Sequence, residues 1–311
     1  MSENRVLFIV GPTAVGKTEL SLQVAERLGG EIVSADSRQV YRFMDIGTAK
    51  PTPRERERIP HHFIDIRTPD QYYSAGEYGH EARLCIAQLL QRGVTPVVVG
   101  GSGFYIQALV DGLFAPGISD AQVKQEWRRR IQEQGLAEIF LTLQSIDPET
   151  ARRLHPNDEQ RIVRALEVYE LTGMPISRFR QGPRTAAHFT PLFVGLTRER
   201  QALYRRIEAR VDDMIALGLV DEVRGLQNKG WTPQLTSLRT VGYREVFDYM
   251  AGLTSFQDML SKIKMNSRRY AKRQITWFRR DARIFWMDIG PLQAEQCVVE
   301  IMQLWKEKAA R

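Results

Sequence analysis

Eight consecutive residues, Gly11-Pro12-Thr13-Ala14-Val15-Gly16-Lys17-Thr18, satisfy the pattern G-x-x-x-x-G-K-[ST] at every fixed position. The glycines let the backbone turn tightly enough to aim several N–H groups at one point, and the helix N-terminus behind them favours an anion. The implied chemistry is phosphate binding: Lys17 reaches the terminal phosphate as a point charge, and the Thr18 hydroxyl helps to hold Mg²⁺. A ring of amides does not by itself distinguish a nucleotide from another pyrophosphate.

Further along the chain, three more groups carry chemistry. Asp36 is placed to act as a general base toward an acceptor group, or else as a turn cap, since Asp-Ser is a common cap signal. Ser102, within Gly100-Gly101-Ser102-Gly103, offers a hydroxyl among backbone amides, with a helix cap as the plainer reading. The segment Ser261–Arg280 holds eight Lys/Arg (Lys262, Lys264, Arg268, Arg269, Lys272, Arg273, Arg279, Arg280) and no acid, with Tyr270, Trp277 and Phe278 among them. Cations that neutralise phosphate beside rings that stack bases suit single-stranded or looped RNA, while an amphipathic helix packing Met259, Ile263, Tyr270 and Phe278 inward accounts for the same pattern. His61-His62 has no partner at metal spacing. Hydrophobic runs end in acid at Asp65 and Asp288, but the strongest buried strand ends in glycine, which counts against an ordinary ATPase.

These residues must be carried by a parallel sheet. The run Val6–Val10 reads as a strand before the phosphate loop, with a helix over about 16–28 behind it and a second strand at 31–35 leading into Asp36. Short right-handed connections put the end of that second strand on the ligand-binding edge, close to the loop. Residues 38–60 read as a long loop, 63–66 as a short strand, 74–91 as a helix, and 94–99 as a buried strand delivering Ser102 to the same edge. From 113 to 188 the pattern changes to polar helices, among them 123–134 and 158–171, punctuated by Pro116, Gly117, Pro148, Pro156, Pro175 and Pro183. A strand at 192–196 resumes the sheet, followed by helices at about 199–228, 240–250 and 255–280, a strand at 283–287 and a helix at 291–308. The expected architecture is an α/β, P-loop NTPase-like parallel core, 1–112 with 189–311, interrupted by a mainly helical insertion at 113–188.

Composition agrees with a globular chain. At 311 residues and 43% apolar content it can bury a full core, and it has neither a signal-peptide pattern nor a run of membrane-spanning length, so the expectation is a cytoplasmic protein. Cys85 and Cys297 encode neither a disulfide framework nor a zinc site. The net charge of +7 is concentrated in residues 189–311, with 21 Lys/Arg against 14 Asp/Glu, which points to a polyanion docking there.

Read together, the motifs resemble the bacterial tRNA dimethylallyltransferases, also called tRNA isopentenyltransferases. The matching stretches are Gly11–Thr18, Ser34-Ala35-Asp36-Ser37 with Gln39-Val40-Tyr41, Met44–Pro51, Gly100–Tyr105, His155–Asp158 with Arg161–Glu167, Val241–Arg244 and Ala271–Trp277. The resemblance implies transfer of a dimethylallyl group from dimethylallyl diphosphate to N6 of the adenosine immediately 3′ of the tRNA anticodon, with Mg²⁺. It implies catalysis by Asp36, Ser102 and Lys17, and diphosphate binding by Gly11, Pro12, Thr13, Ala14, Val15, Gly16, Lys17, Thr18 and Arg210, with the metal at Thr18. It also implies that the anticodon stem-loop meets Asp36, Ser37, Arg38, Gln39, Ser102, Lys124, Gln160, Arg161, Ile162, Val163 and Arg164. Arg239, Thr240, Val241, Gly242, Tyr243 and Arg244, with Lys272 and Arg273 of the basic segment, complete the expected tRNA contacts, and the protein is expected to be a monomer. Two positions depart from the family pattern: Ser102 stands in place of the usual Thr, and Arg38 where Met is common. Two other readings remain open at this level, a small-molecule kinase of the shikimate or adenylate type and an RNA-binding protein with a nucleotide-gated loop.

Overall fold

In the computed structural model, residues 4–113, 117–180, 182, 186–290 and 292–307 are described. Pro116 and Pro183, and residues 291 and 308 at the ends of the expected last helix, lie outside them. Strand β1 (Arg5–Val10) is buried along its whole length, as its uninterrupted apolar run requires of a central parallel strand. It leads through the phosphate loop into α1 (Lys17–Leu28), then β2 (Gly30–Ala35), α2 (Pro53–Arg58), β3 (His61–His62), α3 (Ala75–Gln91), β4 (Thr95–Gly100) and α4 (Gly103–Val110). After five helices, α5 (Ala121–Gln134), α6 (Leu136–Ile146), α7 (Pro148–Arg153), α8 (Glu159–Thr172) and α9 (Ile176–Arg180), the sheet resumes with β5 (Thr190–Thr197). Helices α10 (Arg200–Ala216), α11 (Leu219–Asn228), α12 (Tyr243–Met250) and α13 (Phe256–Phe278) precede β6 (Ile284–Asp288) and α14 (Ala294–Glu307).

The six strands form one parallel sheet in the order β3-β2-β4-β1-β5-β6. Its register decides where the chemistry falls. Val10 lies opposite both Gly100 and Gly195, and Ala35 opposite Gly100, so β1, β2 and β4 reach their carboxyl ends at one level. Gly11, Asp36 and Gly101 are the next residue on each strand, at the crevice where open α/β sheets bind ligands. Two compact units result, Met1–Val110 with Ala187–Arg311, and Asp111–Ala186. The first is built on a core that includes Leu7, Ile9, Leu22, Val97, Val194 and Ile301, while the second is all helical in its described residues and packs Trp127, Ile139, Leu143, Ile162 and Leu166 together.

Several boundaries differ from the sequence reading. Phe63–Ile66 is not a strand: Phe63 and Asp65 have φ of 64° and 58°, which no strand accommodates, and β3 is the two residues before them. The stretch 38–60 is not wholly irregular, because Thr52 and Glu55 form a reciprocal capping box that starts α2. The single helix expected over 199–228 is two, separated at Leu217-Gly218, where Gly218 adopts φ 96°. In the insertion α6, α7 and α9 join the two expected helices; α7 starts at an Asp147 cap followed by Pro148.

Candidate active site

The phosphate loop owes its path to three residues of positive φ: Gly11 at 145°, Ala14 at 61° and Gly16 at 117°. A Cβ at Gly11 would sit 2.6 Å from the Leu196 carbonyl oxygen of β5, so only glycine lets the loop pass this close to the sheet. Lys17 Nζ donates to the carbonyls of Gly11 (3.0 Å) and Pro12 (2.7 Å), which folds its side chain back over the loop. Burial pulls its pKa down to about 7, Arg210 adds repulsion, and Asp36 partly opposes both. Arginines that spacing alone does not single out brace the loop from α10 and the end of β5: Arg198 donates to the Val15 carbonyl and Arg206 to the Ala14 carbonyl, each at 2.9 Å.

Asp36 divides its carboxylate. Oδ1 accepts from the N–H groups of Arg38 (2.8 Å) and Gln39 (3.4 Å), which is the turn-capping role, whereas Oδ2 has no hydrogen bond among the described residues. The capping and base readings are therefore compatible, one to each oxygen. A cleft is lined by Asp36, Lys17, Thr18, Gln39, Pro51 and Gly100, among others. Ser102 closes the gap between strand ends: its N–H donates to the Ala35 carbonyl, and its Oγ accepts from the Ser37 N–H at 2.9 Å. Tyr270 of α13 lies against Ser102, and burial beside Asp36 pushes its phenol up to about 12.

The Met44–Pro51 motif acquires a physical reason. Glu222 of α11 accepts from the N–H groups of Asp45, Ile46 and Gly47 at 2.7–3.2 Å and from the Tyr243 hydroxyl at 2.6 Å. Gly47 lies flat on the Tyr243 ring, where a Cβ would overlap it. The buried Lys50 bridges Asp45 and Asp65 and donates to the Tyr41 carbonyl. Asp65 also pairs with Arg56, so it serves the loop, and Asp288 caps the Gly290 N–H. The pinned loop presents the Thr48 carbonyl to Gln39 and Arg210. Replacing Glu222 by Ala leaves three N–H donors and a phenol without their shared acceptor, and is expected to lower the unfolding free energy by about 2 kcal/mol or more. A urea midpoint corresponding to a loss under about 0.5 kcal/mol would show that other contacts hold this loop.

Other residues of the reading divide by exposure. Arg239, Arg244, Lys272 and Arg273 are exposed; Tyr243 is not, being fully buried under the loop. Arg38 is anchored to the Thr236 and Ser237 carbonyls, and Gln39 to Thr48, Ala49 and Ser34. Within the insertion, Ile162 and Val163 point into its core and cannot offer their side chains to RNA, whereas Gln160 and Arg161 are exposed. Lys124 and Arg164 converge on the buried Glu167. Of the basic segment, Lys264 pairs with Asp212 and Arg268 with Glu208, so those charges are neutralised within the protein. His62 meets Glu31 and His61 the Ile59 carbonyl, and no metal-holding cluster of His, Cys, Asp or Glu occurs among the described residues. A hard divalent ion still suits the cleft, because Thr18 and Asp36, both with oxygen donors, line it and such ions take their remaining ligands from phosphate and water.

A parallel sheet with a phosphate loop after its central strand, and a glycine turn where an ATPase carries an acid, defines an α/β protein of the P-loop NTPase-like class. The chain belongs to the IPP transferase family, whose model matches residues 39–281. It is 50% identical over 294 residues to tRNA dimethylallyltransferase 2 of Geotalea uraniireducens, covering 94% of this chain and 95% of that one. Among solved structures it resembles the tRNA isopentenylpyrophosphate transferase of Bacillus halodurans at 38% identity and TM-score 0.74, covering 99% of this chain and 97% of that one. It also resembles a eukaryotic dimethylallyltransferase captured acting on tRNA, at 28% identity and TM-score 0.84, covering 98% of this chain and 80% of that one.

Proposed function

We infer that the protein transfers a dimethylallyl group from dimethylallyl diphosphate to N6 of the adenosine immediately 3′ of the tRNA anticodon. The observation that carries this reading is the pairing of Lys17 with an Asp36 oxygen left free across one cleft, in a chain of the IPP transferase family. Relatives named for this activity favour it over the kinase alternative.

The diphosphate would lie on the loop amides, with Lys17 and Arg210 supplying charge. As the allylic C–O bond breaks, negative charge grows on the departing diphosphate, so these donors stabilise the transition state more than the ground state. Mg²⁺, held through the Thr18 hydroxyl and the diphosphate, would supply further charge to the leaving group. An exocyclic adenine amine is a weak nucleophile because its lone pair is delocalised into the ring. A hydrogen bond from that amine to Asp36 Oδ2 makes it a better one, and the carboxylate takes the proton once the N–C bond has formed. The target base has to be extruded from the anticodon loop to reach this depth. Ser102, tied to Ser37, holds the two strand ends at the spacing this contact needs.

Arg239, Arg244, Lys272 and Arg273 supply the phosphate contacts of the core, with Gln160 and Arg161 those of the insertion. Replacing Lys272 and Arg273 together by Ala is expected to weaken tRNA binding and to reduce the slope of log K against log salt by roughly 1–2. The same change at Lys264 and Arg268 should leave the slope almost unaltered, since both are neutralised by acids on α10. Equal slopes for the two double variants would remove α13 from the RNA interface. The activity itself is tested by incubating the purified protein with labelled dimethylallyl diphosphate and undermodified tRNA. Label in the RNA is expected; phosphoryl transfer from ATP to a small acceptor, without label in RNA, would establish the kinase instead.

A further inference from the structure

Gln274 lies on the buried face of α13, 6% exposed, and uses both ends of its amide on distant parts of the chain. Its Oε1 accepts from the Thr13 N–H at 2.8 Å, and its Nε2 donates to the Gly101 carbonyl at 3.0 Å. One side chain therefore spans the crevice between the phosphate loop after β1 and the glycine turn after β4. The fit is close: a Cβ at Gly101 would overlap Gln274 Nε2, and one at Gly103 would overlap the Trp277 ring one turn further along the helix. Thr13 N–H is thereby withdrawn from any ligand, which leaves the remaining loop amides, Lys17 and the neighbouring arginines to meet a diphosphate.

We propose that Gln274 is a positioning residue for the transfer reaction, fixing the phosphate loop at a set distance from the turn that carries Ser102. Gln274 is buried, whereas its neighbours Lys272 and Arg273 on the same helix are exposed. The bridge thus ties the loop that would hold the leaving group to the strand ends that would hold the base. A sub-ångström drift between them misaligns an in-line displacement, at a cost in rate that mere packing would not explain. The proposal rests on the diphosphate site inferred above.

The test uses the full-length protein with Gln274→Met, which keeps the volume and removes both hydrogen bonds. Wild-type protein that fails to turn over dimethylallyl diphosphate would overturn the functional reading itself, before any variant is compared. With wild type active, the Met variant is expected to lose about 10- to 100-fold in kcat/KM for dimethylallyl diphosphate, with kcat reduced at saturation and the Kd for tRNA within about twofold. Wild-type kinetics in the Met variant would overturn the assignment, and so would a parallel loss of tRNA affinity, which would mark Gln274 as a structural residue of α13. If the Met variant does not fold, hydrogen exchange in the ligand-free wild type decides: the Thr13 amide is expected to be protected, and exchange as fast as an open loop would show that the bridge does not form.

Discussion

Asp36→Asn is expected to slow the chemical step by about 10²- to 10⁴-fold, roughly 3–5 kcal/mol, while tRNA and diphosphate still bind. The structure makes this substitution unusually clean. Oδ1 carries the turn by accepting from the Arg38 and Gln39 N–H groups, and the Asn carbonyl oxygen can take over that role. Only Oδ2 is replaced by an NH₂, which can neither accept the adenine proton nor polarise its amine. Single-turnover transfer with both substrates saturating is the appropriate measurement. A rate within about threefold of wild type, under roughly 0.7 kcal/mol, would reduce Asp36 to a turn cap.

Lys17→Ala should cost on the order of 10²- to 10³-fold in turnover and also weaken diphosphate binding, because the charge that Lys17 meets increases as the C–O bond breaks. This amine is held by the Gly11 and Pro12 carbonyls, and its pKa is lowered by burial and by Arg210. An incoming anion favours the charged form and draws the amine outward. Steady-state kinetics across diphosphate concentration separate the two effects. Unchanged turnover at saturating substrate would mean that Arg210, Arg206 and the amides carry the leaving group without it.

What the sequence made legible was whatever depends on strand ends. Parallel strands of equal reach put Gly11, Asp36 and Gly101 side by side, so a motif read after each apolar run falls at the same edge without any knowledge of contacts. Relations that join positions far apart in the chain were not legible. Gln274 stood inside a motif-bearing stretch, yet nothing in its spacing indicates that its amide reaches Thr13, 261 residues away. Glu222 looked like one acid among several on a helix, although it fastens the Met44–Pro51 loop. Arg198 follows β5 directly, and the rule that residues just after strand ends face the ligand edge would have found it. Phe63–Ile66 misled because two of its four residues adopt left-handed backbone angles, shaped locally by the ion pairs of Asp65 with Lys50 and Arg56. In the basic segment the charge count was legible, but not that acids on α10 neutralise Lys264 and Arg268.

The central claim is that one cleft joins a phosphate loop to a base for adenine N6. The measurement that addresses it most directly is mass spectrometry of tRNA after reaction with dimethylallyl diphosphate and Mg²⁺, digested so that each nucleoside is assigned to its place. The account predicts a gain of one dimethylallyl group, on the adenosine immediately 3′ of the anticodon alone, in wild type and not in Asp36→Asn on the same timescale. Modification at another nucleoside, or an unmodified tRNA with diphosphate intact, would contradict it.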